Sequence, residues 1–129
     1  MPSFGTLKAD TLTHSTAGSL ATNFVVSGSA KSWVNIDMPN QTSNDSFNTS
    51  GITDLATGRF TSAFTTSLAN SDYAVTAGGM DPTEASTGGN RTADGTPVSS
   101  SSMYIRAAAY DNTANDVPGS GLVANGDLA

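Results

Sequence analysis

Apolar and polar residues alternate with a period of two in several short stretches of the chain, which predicts β-strands. In the stretch 59–66, Phe60 and Phe64 fall on one face with Ser62 between them, and Thr61 lies on the other face. No stretch shows the sustained i, i+3, i+4, i+7 spacing of an amphipathic helix. We therefore predict eight strands, at 6–12, 20–27, 32–37, 46–53, 59–66, 73–77, 103–110 and 121–125.

Turn-forming Gly, Asn, Asp and Ser residues separate these strands at intervals of roughly ten residues, a spacing typical of an all-β sandwich. We predict an antiparallel, jelly-roll-like β-sandwich with an extended N-terminal arm. The arm is assigned to residues 1–30, because it contains only two aromatic residues and cannot close a core alone; the sandwich domain is assigned to 31–129. Residues 80–101 are rich in Gly, Ser, Thr and Pro and are predicted to form a long surface loop.

Six large residues at alternating strand positions are predicted to anchor the core or an interface. Trp33 is the single tryptophan of the chain and is assigned to the core or to an interface. The other five are assigned to the core. The complete set is Trp33, Phe47, Phe60, Phe64, Tyr73 and Val75.

The charge balance excludes several classes of partner. Five basic residues stand against 11 acidic ones, for a net charge of −6, and charged residues make up only 12% of the chain. So few cations cannot neutralise many phosphates, which argues against nucleic acid and against anionic membranes as partners. Ser, Thr, Asn and Gly instead supply nearly half of the residues, and such a surface is typical of an extracellular or particle-surface protein.

Candidate catalytic and metal-binding residues are scarce. The chain has no cysteine and one histidine, His14, with no Gly-x-Ser-x-Gly motif to accompany it, so we predict no catalytic residue and no enzyme activity. The oxygen-rich stretch from Asp111 to Asp116 could hold calcium, but its spacing differs from an EF-hand loop and Asx-rich turns are common. We therefore predict no metal and no cofactor.

Four ordered stretches resemble a module found in tail-fibre and other virion proteins of tailed bacteriophages, prominently those that infect cyanobacteria and other marine bacteria. The stretches are KSWVN at 31–35, DSFNTSGITD at 45–54, GRFTSAFTT at 58–66 and ANSDYAV at 69–75, and the start GTLKADTL at 5–12 resembles the leader of such proteins. The resemblance covers residues 5–78. It departs from the family at 37–44, which replaces a shorter Gly-rich connector, and at the C-terminal end, which lacks an apolar-aromatic strand.

The resemblance implies a β-rich building block of a virion, with no catalytic residues to carry over. We expect a homotrimeric capsid decoration or cement protein, or a short head fibre, that contacts a major capsid or tail protein through the arm. The alternative is a receptor-binding short tail fibre or tail tip that recognises host surface glycan. A cellular carbohydrate-binding or adhesin module is a third class, against which the absence of an export signal counts.

Overall fold

The computed structural model describes residues 9–16, 18–80, 91–109 and 111–129. Ten strands and one short helix lie in these ranges. The elements are β1 (Thr11–His14), β2 (Gly18–Ala21), α1 (Thr22–Gly28), β3 (Ser32–Asp37), β4 (Thr42–Phe47), β5 (Thr49–Ala56), β6 (Arg59–Phe64), β7 (Ala74–Met80), β8 (Arg91–Ser99), β9 (Ser102–Ala109) and β10 (Gly119–Asn125).

Eight of the strands form two antiparallel four-stranded sheets that pack face to face, which confirms the predicted all-β sandwich. The first sheet has the order β4-β3-β10-β7 and the second β5-β6-β9-β8. β1 and β2 form a separate hairpin. Eight strands in two sheets is the strand count of a jelly roll. If β5 to β10 are renumbered 1 to 6, and β3 and β4 become 7 and 8, the second sheet has the order 1-2-5-4 and the first has the order 3-6-7-8. These orders contain the A-B-E-D and C-F-G orders of immunoglobulin sheets.

The core lies between the two sheets and is built from alternate residues of each strand. In β3, Ser32, Val34 and Ile36 point inward and are buried, while Asn35 points outward and is exposed. The other inward residues follow the same alternation in both sheets. The buried cluster consists of Val34, Ile36, Met38, Phe60, Phe64, Leu68, Tyr73, Met103, Ile105, Ala107, Val117, Leu122 and Ala124.

The chain passes from the first sheet to the second through a single residue, Asn48, between β4 and β5. Its backbone φ of 53° lies in the left-handed region, which asparagine tolerates better than most residues. Its side-chain amide donates hydrogen bonds to the carbonyl oxygens of Lys31 at 2.9 Å and Thr66 at 3.0 Å. Because of this corner, the strand predicted at 46–53 is two strands in different sheets.

Two further elements differ from the sequence-based expectation. Residues 20–27 are not one strand, since β2 ends at Ala21 and α1 follows directly. The predicted surface loop at 80–101 contains β8, which pairs with β9 along its length. Residues 100 and 101 of that loop form the turn between β8 and β9, whereas 81–90 lie outside the described residues, as does the beginning of the strand predicted at 6–12.

β8 was missed because its composition is poor in strand-forming residues and its position is fixed by packing. It contains Gly95 and Pro97, and proline is tolerated there because β8 is an edge strand. A Cβ atom on Gly95 would lie 2.5 Å from Cγ1 of Val75 and 3.1 Å from Cδ2 of Leu122. The glycine therefore allows β8 to approach β7 closely, at the edge where the two sheets meet.

Candidate functional site

The most distinctive surface of the molecule surrounds the junction between the segment 9–30 and the sandwich. Lys31 stands at this junction and is only 5% exposed. Its backbone N–H donates to the carbonyl oxygen of Ala124 on β10 at 2.8 Å. Its ammonium group donates to the carbonyl oxygen of Val26 and, at 2.9 and 2.8 Å, to the carbonyl and hydroxyl oxygens of Ser29. Lys31 thus ties the C-terminal end of α1 to the first sheet.

The helix α1 has little of its own to stabilise it. It is seven residues long, it has no side-chain cap at Ala21, and neither an acidic residue in its first turn nor a basic one in its last. Its sequence, TNFVVSG, consists of weak helix formers, and isolated helices of this length are unstable in water. The carbonyl contacts of Lys31 favour its C-terminal end, where a cation interacts well with the helix dipole.

Apolar side chains of the hairpin and of α1 are exposed to solvent. Leu12 and Leu20 are directly opposite each other in the hairpin and are 42% and 47% exposed. Phe24 and Val26 of α1 are about two-thirds exposed, and no residue of α1 is buried. A two-stranded hairpin without a packed face is only marginally stable, so these elements carry an apolar surface that their own contacts leave uncovered.

A groove of about 610 Å³ lies between the end of α1 and the sandwich. Its apolar walls are Val25 and Val26 on one side and Phe47 and Leu128 on the other, and Lys31 and Asn48 also line it. Phe47 and Leu128 are each more than half exposed. The groove is therefore continuous with the exposed apolar side chains of α1.

An apolar row on the outer face of the first sheet runs up to this groove. Trp33 is directly opposite Phe47 on β4 and opposite Val123 on β10, so all three side chains point to the same side of the sheet. Trp33 and Val123 are half-buried. The groove and this row together form one apolar surface, here called the junction surface: Val25, Val26, Trp33, Phe47, Val123 and Leu128.

The six predicted anchor residues occupy three kinds of position. Phe60, Phe64 and Tyr73 are buried in the core, where the Phe64 and Tyr73 rings meet edge to face with centroids 5.7 Å apart. Val75 is half-buried and packs against the core. Trp33 is half-buried on the outer face.

Phe47 corrects the expectation that it belongs to the core, since its side chain is 54% exposed. It is the last residue of an edge strand and directly precedes the corner at Asn48. Its pairing with Trp33 places it on the outer face, opposite to the core. The alternation of apolar and polar residues does not show which side of the sheet Phe47 faces. That side depends on the passage of the chain from the first sheet to the second at Asn48, one residue later.

The two candidate calcium ligands perform backbone capping roles. The Asp111 carboxylate accepts a hydrogen bond from the Thr113 N–H at 3.0 Å, and such bonds to Thr113 hold its pKa below the usual range. The Asp116 carboxylate accepts from the N–H of Gly58 at 2.5 Å, in the turn between β5 and β6. Within the described ranges, no three His, Cys, Asp or Glu residues come together as a potential metal site. The side chain of His14 lies outside the described part of the chain.

Nothing in the described part of the chain forms a helix of the length and apolar character needed to cross a membrane. Comparison with known proteins finds no matching family model, no matching curated protein and no matching solved structure.

Proposed function

We propose that this protein is a non-enzymatic structural component of a bacteriophage virion, assembled as a homotrimer that decorates the capsid or forms a short head fibre. The observation that carries the assembly part of this proposal is the junction surface together with the exposed hairpin and α1. The virion is proposed from the sequence stretches that resemble phage fibre modules. A hydroxyl- and amide-rich surface with few charges agrees with such a role.

The apolar side chains of the segment 9–28 favour self-assembly because the same chain offers both donor and acceptor surfaces. The donor is the hairpin and α1, whose apolar side chains are exposed. The acceptor is the groove beside Phe47 and Leu128. Val25 and Val26 of α1 also line the groove, but Leu12, Leu20 and Phe24 do not, so donor and acceptor are not the same surface. Two different surfaces of one chain form a heterologous contact, which closes into a ring of defined size when the rotation between copies allows it.

Charge does not oppose such a contact. Residues 1–30 contain Lys8 and Asp10 and no other Lys, Arg, Asp or Glu, so the segment has no formal net charge. The net charge of −6 therefore resides in residues 31–129. An arm without net charge can approach an acidic neighbouring copy without charge repulsion.

The mass of the recombinant chain in solution tests this assembly. Light scattering at micromolar concentration is expected to give three times the mass of one chain, 13.0 kDa. The double variant Phe24→Ser, Val26→Ser is expected to be monomeric, because it removes two exposed apolar side chains of α1. The matched control is Leu55→Ser, since Leu55 is also more than half exposed but lies on β5, and it is expected to keep the assembled mass. A wild-type monomer with a cooperative melt would contradict the proposal.

Particle location needs a separate measurement. Quantitative mass spectrometry of purified phage particles is expected to find the protein in hundreds of copies if it decorates the capsid. A handful of copies per particle would instead indicate the tail, and absence from particles would refute a virion role.

A further inference from the structure

Two of the five basic residues of this acidic protein are directly opposite each other on the outer face of the second sheet. Arg59 on β6 pairs with Arg106 on β9. Directly opposite residues share one face of a sheet, with Cβ atoms about 5 Å apart, and like charges at such positions are destabilising. A local arrangement that opposes stability without an evident compensating contact is a signal of function.

Within the described part of the chain, neither guanidinium group forms an ion pair with a carboxylate. Arg59 is exposed and, among the described residues, makes no hydrogen bond or ion pair. Arg106 donates to the side-chain oxygen of Asn112 at 2.7 Å and to its backbone carbonyl at 2.8 Å. Asp94 is directly opposite Arg106 on β8, where an opposite charge is favourable, although it forms an ion pair with neither arginine in the described structure. Arg59, Arg106 and Asp94 therefore give this row a net charge of +1, and no ion pair forms among them in the described part of the chain.

Arg106 is held in place before any ligand arrives. Its partner Asn112 has a backbone φ of 68°, and the Asn112 N–H donates to the Ala109 carbonyl at 2.9 Å. Thr113 closes the same turn by accepting a hydrogen bond from the Ala109 N–H at 2.9 Å. A guanidinium has five N–H donors, and Asn112 engages two of them, so donors remain for a second acceptor. Fixing one arginine in advance lowers the entropy cost of binding.

The neighbouring row of the same face offers an aromatic ring between hydroxyl groups. Tyr104 on β9 is half-buried, and it is directly opposite Thr61 on β6 and Thr96 on β8. Thr53 on β5 continues this row beyond Thr61. Tyr104 is two residues from Arg106 along β9, so the hydroxyl row lies beside the arginine pair.

We propose that this face, defined by Arg59, Arg106, Tyr104, Thr61 and Thr96, binds an acidic saccharide. The arginine pair would take the carboxylate or sulfate of one sugar unit, since guanidinium groups bind such oxyanions through two parallel hydrogen bonds. The Tyr104 ring and the threonine hydroxyls would contact the ring and hydroxyls of the adjoining sugar. Nucleic acid fits less well, because this face offers only two cations and neutralising a long run of phosphates needs many.

Binding of the purified chain to polysaccharides of defined charge tests this site. The probes are dextran sulfate, polygalacturonate and neutral dextran, in about 0.15 M salt, where charge attraction beyond about 8 Å is screened. Binding to at least one acidic polymer and not to neutral dextran is expected, and comparison of the two acidic polymers distinguishes sulfate from carboxylate. Binding to neither acidic polymer would overturn the proposal. Equally tight binding of polyglutamate would assign the face to an acidic peptide and would overturn the saccharide.

The variant Arg59→Ala is expected to weaken binding to the acidic polymer about tenfold or more, the usual effect of losing hydrogen bonds from a charged group. Its melting temperature is expected to stay unchanged or to rise, because the like-charge pair is removed. Ser71→Asp is the matched control: it makes the same change in net charge at an exposed position beyond the far end of β6, and it is expected to leave binding within about twofold. Equal loss in the control would show bulk charge alone and would overturn the site. The site does not depend on the proposed assembly or virion role, which the assembled mass and the copy number in purified particles test separately.

Discussion

The side-chain amide of Asn48 forms two hydrogen bonds with the backbone of Thr66, one from its N–H and one to its carbonyl. Its oxygen accepts a hydrogen bond from the Thr66 N–H at 2.7 Å, and its nitrogen donates to the Thr66 carbonyl at 3.0 Å. The same nitrogen donates to the Lys31 carbonyl at 2.9 Å. Asn48 therefore joins the start of the first sheet to the end of β6 in the second, at the point where the chain crosses between them.

Replacement of Asn48 tests how much this corner contributes to stability. Asn48→Ala is expected to lower the free energy of unfolding by about 1–3 kcal/mol, since it removes three hydrogen bonds and places alanine at a left-handed φ. Asn48→Gly should cost less than alanine, because glycine adopts that φ freely. Urea denaturation measures both. An alanine variant as stable as the wild type would show that water replaces these bonds without loss.

Two phenylalanine variants compare how much the core and the outer apolar row contribute to stability. Phe64→Ala is expected to cost about 3–5 kcal/mol, because Phe64 is buried and packs against the Tyr73 ring. Phe47→Ala, introduced into the monomeric Phe24→Ser, Val26→Ser variant, should lower the free energy of unfolding by less than about 1 kcal/mol, because Phe47 is more than half exposed. Thermal melts of the two variants give the comparison, and similar losses would place Phe47 in the core after all.

The elements that the sequence predicted correctly are those in which one face of a strand is buried and the other is not. β6 is the clearest case, since the burial of Phe60 and Phe64 follows directly from their spacing. Alternation of this kind is a local property that a single strand displays. It identifies which residues share a face, but not which face meets the core, as Phe47 shows.

The elements that the sequence did not predict depend on specific contacts that a pattern of apolar and polar residues does not show. Val25 and Val26 favour a strand by composition, yet they lie in α1, whose end is held by the buried Lys31 ammonium. Likewise, the strand position of Gly95 follows from its close approach to Val75. The arginine pair was equally invisible, because the register that places Arg59 opposite Arg106 joins residues 47 positions apart.

Alkaline pH is expected to destabilise the fold through Tyr73. Burial raises the pKa of its hydroxyl above 10.0, and the hydroxyl donates a hydrogen bond to the Ser102 carbonyl. Since the raised pKa belongs to the folded state, the contribution to stability is complete below pH 10 and is lost as pH rises through the folded pKa. Tyr73→Phe should cost about 1 kcal/mol at neutral pH and show a shallower alkaline loss in denaturation curves. Identical pH profiles would contradict this role.

A strong chelator is expected to leave the melting temperature unchanged. The Asp116 carboxylate already accepts the Gly58 N–H, and Gly58 is tightly enclosed, because a Cβ there would lie 2.5 Å from the Ala107 carbonyl oxygen. Asp116→Ala should therefore destabilise the protein by about 1–2 kcal/mol with or without chelator. A chelator-induced drop that calcium reverses, and that Asp116→Ala abolishes, would instead assign a calcium ligand role to Asp116.

Deletion of residues 1–30 tests whether the N-terminal segment is separate from the core. The variant is expected to remain a soluble β-sandwich with a cooperative melt, because every buried residue identified in the described chain lies at position 31 or beyond. Lys31 would lose the Val26 and Ser29 carbonyls as partners, but its ammonium would then face water, so the cost should stay below about 2 kcal/mol.

The same truncation should abolish assembly, because it removes the exposed apolar side chains of the hairpin and α1 and opens one wall of the groove beside Phe47. Circular dichroism and light scattering of the truncated chain measure the two effects independently. A folded monomer is the expected result. An unfolded chain would show that the arm belongs to the folding unit and that no domain boundary lies near residue 30, and a folded chain that still assembles would place the interface on the sandwich itself.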